Sequence, residues 1–248
     1  MAGILKITDR LPLPKPVLGS ASRTETPIRT IPRLGFGVYQ SPPDKTYRSC
    51  LEALRAGYRQ IDSAQYYANE AEVGQAVRDS DVLLDDEKES GNDNTPSQDE
   101  QKTEGMAATA TERQRQRRRR SKVFLTTKIL GATGDVDKTY DKCVASVEKM
   151  DPGEDGYVDL FLIHSPNCGK EKRKELWWAL ERLYESGKAK SIGVSNYGAP
   201  QIEEMKEYAN VVWPPQVNQI EVRLSYLVRT IPLASGTLII HLLRSTML

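Results

Sequence analysis

The sequence alternates between short apolar segments and longer amphipathic ones, and this alternation restricts the possible folds more than any other feature. Six segments have the apolar character of strands: 31–38, 58–62, 123–128, 157–164, 189–195 and 216–222. Five segments between them have helical periodicity: 44–56, 70–78, 137–150, 172–186 and 200–209. Strict alternation of strand and helix predicts parallel strands joined by right-handed crossovers. The sequence therefore predicts an α/β fold built on a parallel sheet.

Residues 79–121 interrupt the alternation. They are acidic at 85–89, then low in complexity, then basic from Arg113 to Arg120. A segment this polar buries too little apolar area to offset its ordering entropy, so we interpret it as a disordered insertion. We interpret the arginine run as a solvated charge cluster. A nuclear-import or nucleic-acid-binding patch is the alternative, and the lack of interleaved aromatic residues makes a nucleic-acid partner less favoured.

Length, charge and cysteine content limit the class of protein. The 248 residues suffice for one sizeable domain, and the net charge of +1 gives no general attraction to nucleic acid or membrane. Cys50, Cys143 and Cys168 lie far apart, so we expect neither a disulfide framework nor a metal site. We find no signal peptide and no apolar run approaching the ~20 residues of a membrane helix. The sequence therefore predicts a cytoplasmic protein.

Four chemically functional side chains lie at the ends of predicted strands or shortly after them. Asp62 ends the second strand, and Tyr67 follows it five residues later. Lys128 ends the third strand and His164 the fourth. Because the carboxyl ends of parallel strands meet at one edge, we expect these side chains to converge there, as in an enzyme active site.

Each of these residues also has a structural interpretation. Asp62 could cap a local turn, Lys128 could be a solubilising charge, and His164 could be a structural histidine beside an apolar strand. Tyr66 competes with Tyr67, although the spacing favours Tyr67. Taken singly, the structural interpretations are favoured; taken together, the four residues favour a functional site.

Five motifs, in this order along the chain, resemble those of the aldo-keto reductases. They are Ile61-Asp-Ser-Ala-x-x-Tyr-x-Asn-Glu70 with Val73-Gly74, Thr127-Lys128, Leu162-Ile-His164, Gly193-Val-Ser-Asn196 and Val217-Asn-Gln-Ile-Glu221. No single motif is specific, but five in register argue against coincidence. The resemblance covers residues 31–226, apart from the insertion.

The resemblance implies a (β/α)8 barrel of the TIM type that transfers hydride from NADPH, or from NADH, to a small-molecule aldehyde or ketone without a metal. Four residues correspond to the family's catalytic tetrad: Asp62, Tyr67, Lys128 and His164. Three correspond to groups that hydrogen-bond the nicotinamide carboxamide: Ser195, Asn196 and Gln219. Ser195 and Asn196 could also cap the helix that follows them. A monomer is expected.

The chemistry accounts for these residue types. A carbonyl group that accepts hydride develops negative charge on its oxygen, which a donor must protonate or hold. A tyrosine with a pKa of about 10 is a weak acid, and a nearby ammonium lowers that pKa. An aspartate keeps the lysine charged and oriented. We therefore predict Tyr67 as the general acid, assisted by Lys128 and Asp62, with His164 orienting the carbonyl group.

The C-terminal part departs from the family pattern. A barrel of this type has eight strands in about 250 residues, whereas the sixth predicted strand ends only at Val222. Family members continue with His-Pro-Tyr where this chain reads Val222-Arg-Leu-Ser-Tyr226. We interpret residues 227–248 as a non-matching tail, in which Leu238–Leu243 could form a substitute strand.

The sequence thus predicts an extended arm over residues 1–30 and an incomplete barrel of about six βα units over residues 31–226. Open sheet edges would lower solubility and weaken NADPH binding. A catalytically impaired form, or a non-enzymatic binding or regulatory relative of the family, is the alternative function.

Overall fold

The computed structural model describes residues 9–15, 29–83, 104–222 and 238–243; for residues 104–112, 222 and 238–243 it describes the backbone alone. Most of the predicted N-terminal arm, the middle of the predicted insertion and most of the predicted tail lie outside the described residues.

In the described part of the chain, seven parallel strands form one sheet whose strand order follows the chain order. They are β3 (Phe36–Gly37), β4 (Gln60–Asp62), β5 (Phe124–Ile129), β6 (Leu160–Ile163), β7 (Ile192–Ser195), β8 (Val217–Val222) and β9 (Leu238–Leu243). This is the strand arrangement of a (β/α)-barrel, and the prediction of an incomplete barrel with about six βα units is confirmed. Leu238–Leu243 form a strand parallel to β8, as the less favoured interpretation of that segment proposed.

The strands are connected by helices at the predicted places. These are α1 (Pro43–Arg55), α2 (Glu70–Asp79), α4 (Val136–Met150), α5 (Lys170–Glu185) and α6 (Ala199–Glu204). The predicted helix at 200–209 is shorter than expected and continues as a 3₁₀ turn, Met205–Glu207. Helix α4 begins where the Asp135 carboxylate accepts the backbone N–H groups of Asp137 and Lys138. Among the described helices, none is long and apolar enough to cross a membrane.

Successive strand residues face opposite sides of the sheet, which separates two apolar clusters. Leu125, Phe161 and Val194 belong to the larger cluster, which packs the sheet against the helices. The smaller cluster lies on the other side, called here the inner face, and consists of Leu13, Ile31, Phe124, Leu160, Leu162 and Val217. Whether a residue lies at an odd or an even position along its strand therefore decides whether its side chain reaches the inner face.

The predicted strand at 31–38 is wrong as a single strand. Its first residues belong to β2 (Thr30–Pro32), which pairs antiparallel with β1 (Arg10–Pro12). Its last residues form β3 in the parallel sheet. A proline cannot donate a ladder hydrogen bond, and Pro32 is where the first of the two strands ends. The β1–β2 hairpin carries Leu13 and Ile31 onto the inner face, at the amino ends of the sheet strands.

The prediction that 79–121 is disordered is wrong at both ends of that segment. Asp79 completes α2, Leu83 is buried, and residues 104–121 form α3 (Glu104–Ser121). Arg120, only 5% exposed, pairs with Asp159 at 2.8 Å and with Asp151 at 3.3 Å. The expectation of disorder rests on the small apolar area that the segment can bury. It does not take Arg120 into account, because the ion pairs of that residue stabilise the segment electrostatically. Residues 84–103 lie outside the described part of the chain.

Candidate active site

The sheet brings the sequence-predicted residues to the carboxyl edge of the inner face. Asp62 ends β4, Lys128 is the penultimate residue of β5, and His164 directly follows β6. Ser195 ends β7 and is paired in register with Gln219 on β8. Asp62, Lys128, His164 and Ser195 each lie next to a strand residue that faces the helices, and Gln219 lies two residues after Val217. By parity, all five therefore face the inner side of the sheet.

Lys128 and Asp62 form a buried ion pair. The ammonium Nζ lies 2.8 Å from Asp62 Oδ1 and 2.7 Å from Oδ2, and it donates a further hydrogen bond to the Ser63 carbonyl at 3.0 Å. Lys128 is 2% exposed, so its interpretation as a solubilising charge is wrong. Burial lowers the pKa of Lys128, and the Asp62 carboxylate offsets part of that lowering.

Tyr67 lies between the lysine and the histidine. It ends a 3₁₀ turn, Gln65–Tyr67, and the next residue, Ala68, has a left-handed backbone with φ of 55°. Its hydroxyl oxygen lies 3.5 Å from His164 Nε2, and Lys128 Nζ lies 5.1 Å from the centre of its ring. Tyr66, the competing tyrosine, is 66% exposed. The structure thus brings Tyr67, rather than Tyr66, to the ion pair.

His164 is held with its ring edge toward Tyr67. Its backbone N–H donates to the Ile129 carbonyl at 2.8 Å, and the two rings meet at 77° with centroids 5.5 Å apart. Nδ1 is buried and has no hydrogen-bond partner among the described residues. Burial, followed by the neighbouring Lys128 charge, lowers the pKa of His164 to about 4. The imidazole is therefore neutral at pH 7, with one ring N–H to donate.

Two residues that the sequence reasoning gave no role also shape the site. Asn69 is fully buried; its Nδ2 donates to the carbonyls of Val38 and Ser41, and its Oδ1 accepts the Ser63 hydroxyl at 2.7 Å. It thereby ties the loop after β3 to the loop that carries Tyr67. On the first of these loops, Tyr39 packs on Tyr67 with ring centroids 5.0 Å apart. The signal for Asn69 was its place within the first motif.

The three predicted carboxamide-binding residues form a second group at the same edge. Ser195 donates its hydroxyl to the Gln219 carbonyl at 2.9 Å, and the Asn196 backbone N–H donates to that same oxygen at 2.8 Å. Asn196 has a left-handed φ of 60°, and its Oδ1 accepts the Glu221 N–H. The helix-cap interpretation is wrong, because α6 begins after Gly198.

The donor set of this group fits a carboxamide. The side-chain amide of Gln219 makes no hydrogen bond to the described residues, although the residue is buried. An amide offers both N–H donors and a carbonyl acceptor, which is what a nicotinamide carboxamide requires of its partners. Among the described residues, no group of three His, Cys, Asp or Glu side chains could hold a metal ion.

Comparison with known proteins identifies the family. The profile of the Aldo/keto reductase family matches residues 97–230. This protein belongs to the aldo/keto reductase family. Lys128, His164 and the three carboxamide-binding candidates lie inside the matched range, whereas Asp62 and Tyr67 precede it.

Curated relatives in the family extend the match toward the N-terminus. The chain is 33% identical over 192 residues to an aldo-keto reductase of Mycolicibacterium smegmatis, covering 77% of this chain and 55% of that protein. It is 31% identical over 193 residues to glyoxal reductase of Bacillus subtilis, covering 77% of this chain and 54% of that protein. The chain thus spans about half the length of the curated relatives it matches.

Solved structures, among them an aldo/keto reductase, share the fold. A Brucella melitensis aldo/keto reductase superposes with a TM-score of 0.58 at 32% identity, covering 85% of this chain and 63% of that one. A mutant of Gox0644 in complex with NADPH superposes with a TM-score of 0.57 at 30% identity, covering 79% and 55% of the two chains. The family membership predicted from the five motifs is confirmed.

Proposed function

We propose that this protein reduces aldehydes or ketones to alcohols with NADPH, using Tyr67 as the general acid. The observation that carries the proposal is the position of the Tyr67 hydroxyl, 3.5 Å from His164 Nε2 and beside the buried Lys128–Asp62 pair. Family membership supports the reaction class, and the glyoxal reductase relative and the NADPH-bound neighbour support the substrate class and the cofactor.

Tyr67 and His164 are proposed to act on the substrate oxygen. A carbonyl oxygen within hydrogen-bonding distance of both side chains accepts one hydrogen bond from the hydroxyl and one from the neutral imidazole. When bound, NADPH supplies the hydride that adds to the carbonyl carbon. The oxygen then takes the hydroxyl proton of Tyr67 and becomes an alcohol, and the tyrosine regains a proton from solvent.

Lys128 and Asp62 are proposed to make this proton transfer easier. Loss of its proton leaves Tyr67 as a phenolate, and an ammonium close to the ring stabilises that negative charge. Asp62 keeps the lysine charged despite its burial and fixes its direction through both carboxylate oxygens. Three hydrogen bonds hold the ammonium in place, so little reorganisation is needed during the reaction.

Ser195, Asn196 and Gln219 are proposed to hold the nicotinamide carboxamide. Ser195 and Asn196 are already linked to β8 through the Gln219 carbonyl, which leaves the Gln219 side chain for the ligand. NADPH is the cofactor we favour, with NADH as the second choice.

The test is the rate of NADPH oxidation with a small aldehyde such as glyoxal, followed by absorbance. Tyr67→Phe should lower the rate at least ~100-fold, the lower range of a general acid's contribution. The binding of NADPH, measured by fluorescence, should be retained because the ring stays in place.

Tyr66→Phe is the matched control. It removes the same hydroxyl from the neighbouring exposed ring and should leave the rate within about twofold of the wild type, because an exposed hydroxyl outside the acid–base pair contributes little. Activity that survives Tyr67→Phe, or falls equally in both variants, would show that Tyr67 is not the acid.

A further inference from the structure

A polar cavity lies at the amino edge of the sheet, opposite the candidate active site. Its volume is about 170 Å³, and it is lined by Arg10, Arg29, Thr30, Phe124, Asp159 and Ser191. Phe124 begins β5, Asp159 directly precedes β6, and Ser191 directly precedes β7. Along β6, the five steps from Asp159 to His164 span about 16 Å. The cavity is therefore separate from the candidate active site.

Cations converge on this cavity. Arg10 donates from Nε to the Thr30 hydroxyl at 2.7 Å and from Nη2 to the Thr30 carbonyl at 2.8 Å, which orients the guanidinium and leaves further N–H groups for a ligand. The Arg29 side chain has no hydrogen bond or ion pair with the described residues. Burial, and then the charge of Arg29, lower the pKa of the adjacent Lys190, and Asp159 partly offsets this lowering.

Asp159 is the one acidic residue among the described residues that line the cavity, and its charge is already matched. Its Oδ2 pairs with Arg120 at 2.8 Å and accepts the Leu125 N–H at 3.0 Å. Arg120 also pairs with Asp151. Among the described residues, four cations surround two carboxylates at this edge: Arg10, Arg29, Arg120 and Lys190 against Asp151 and Asp159. Within this set the positive charge is in excess.

Two hydroxyl groups of the cavity lining can donate hydrogen bonds to a ligand. Ser191 is completely buried, lines the cavity, and its Oγ has no hydrogen-bond partner among the described residues. A buried hydroxyl without a partner costs free energy, so an acceptor in the cavity would be stabilising. Thr30 Oγ accepts from Arg10, which leaves its own proton free to donate.

We propose that this cavity binds a phosphate group. Arg10 and Arg29 neutralise its charge, and Ser191 and Thr30 donate hydrogen bonds to its oxygens. The planar guanidinium with its several N–H groups matches the oxygens of phosphate better than a point charge does. A cavity of about 150 Å³ accommodates benzene, which has six heavy atoms, so the volume suffices for the five of phosphate. The ligand is inorganic phosphate or the phosphate group of a small phosphomonoester.

The test is isothermal titration calorimetry of the full chain at constant ionic strength, with inorganic phosphate in one arm and glycerol 3-phosphate in another. The wild type should bind one phosphate saturably. Arg10→Gln should weaken binding at least tenfold, because it removes a charge and its oriented donors. Ser191→Ala should weaken phosphate binding several-fold. It should leave the fold intact, because removing this hydroxyl leaves no described protein group without its hydrogen-bond partner.

Two controls separate this site from general charge and from the loss of any buried hydroxyl. Arg55→Gln removes one exposed positive charge on α1, outside the cavity lining, and should leave phosphate affinity unchanged. Ser80→Ala removes a buried hydroxyl that also has no hydrogen-bond partner among the described residues but lies outside the cavity lining, and it should leave phosphate affinity unchanged as well.

Tighter binding of inorganic phosphate identifies the free ion, and tighter binding of glycerol 3-phosphate identifies a monoester; either result supports the site. The absence of saturable binding by the wild type would overturn the proposal. Equal weakening by Arg55→Gln, or no weakening by Ser191→Ala, would do so as well. The result does not depend on the proposed reductase activity.

Discussion

Two buried cations lie at opposite edges of the same sheet, and they differ in how their charge is matched. Lys128, at the carboxyl edge, has one counterion among the described residues, Asp62. Arg120, at the amino edge, has two, Asp151 and Asp159, and its guanidinium stacks 4.1 Å from the centre of the Tyr157 ring.

The pKa values of the two cations are shifted in opposite directions. Burial lowers the pKa of both, but at Arg120 the surrounding acids outweigh it and the pKa is raised. At Lys128 burial outweighs the one carboxylate and the pKa is lowered. A cation with one counterion, next to Tyr67, suits proton-transfer chemistry; a cation with two suits the anchoring of α3.

The largest effect on stability should come from Lys128→Met. The variant leaves the Asp62 carboxylate buried without its cation, which should cost about 3–5 kcal/mol of the free energy of unfolding. Urea unfolding followed by circular dichroism measures this. The double variant Asp62→Asn with Lys128→Met leaves neither charge and should recover part of the loss. A double variant as unstable as the single would show that side-chain packing, rather than charge, explains the effect.

Arg120→Met should have a smaller effect, because its acidic partners keep some contact with water. Their side chains are 18% and 19% exposed, so we expect a loss of about 2–3 kcal/mol. Arg117→Met is the matched control on the same helix. Arg117 pairs with Asp155 at the surface, and its loss should cost about 0–1 kcal/mol. Equal losses in the two variants would contradict the role of Arg120 as the anchor of α3.

The smallest effect should appear in the pH dependence of stability. The pKa of His164 is about 4 in the folded protein against 6.5 for the free side chain, so the unfolded chain binds more protons between these values. The contribution of His164 to the free energy of unfolding should therefore decrease as the pH drops from 6.5 to about 4, and it should stay constant above pH 6.5. After discounting for partial exposure, the loss amounts to about 1–2 kcal/mol.

The variant His164→Asn should lack this part of the pH dependence. Urea unfolding at several pH values measures the difference between the two proteins. A difference that stays constant between pH 4 and 6.5 would show that His164 does not titrate as described.

The carboxyl edge could be predicted from the sequence because its information is local. Asp62, Lys128 and His164 each mark the end of an apolar segment, and strand parity then sets the face on which they lie. The contact between Tyr67 and His164 depends on the 3₁₀ turn and on the left-handed backbone of Ala68. The motif spacing indicates Tyr67 as the functional tyrosine, but it does not show how the backbone brings that residue to His164.

The amino edge could not be predicted because its contacts are distant in sequence. Arg120 pairs with Asp159, which lies 39 residues later in the sequence. The spacing of apolar residues along the chain gives no indication of such a pair. The helical structure of 104–121 has a signal in the sequence, since its Ala, Glu, Gln and Arg residues favour helix, whereas the overall polarity of the segment predicts disorder. The division of 31–38 between two sheets likewise follows from hairpin pairing that the sequence does not display.

The central claim is that Tyr67 and His164 act together on one carbonyl oxygen. The most direct test is a double-mutant cycle on the rate of aldehyde reduction under saturating NADPH, using Tyr67→Phe, His164→Gln and the double variant. Groups that act as a unit give strongly non-additive losses, so the double variant should be nearly as active as the slower single variant. If the two losses instead multiply, the side chains act independently and the account of a shared site is contradicted.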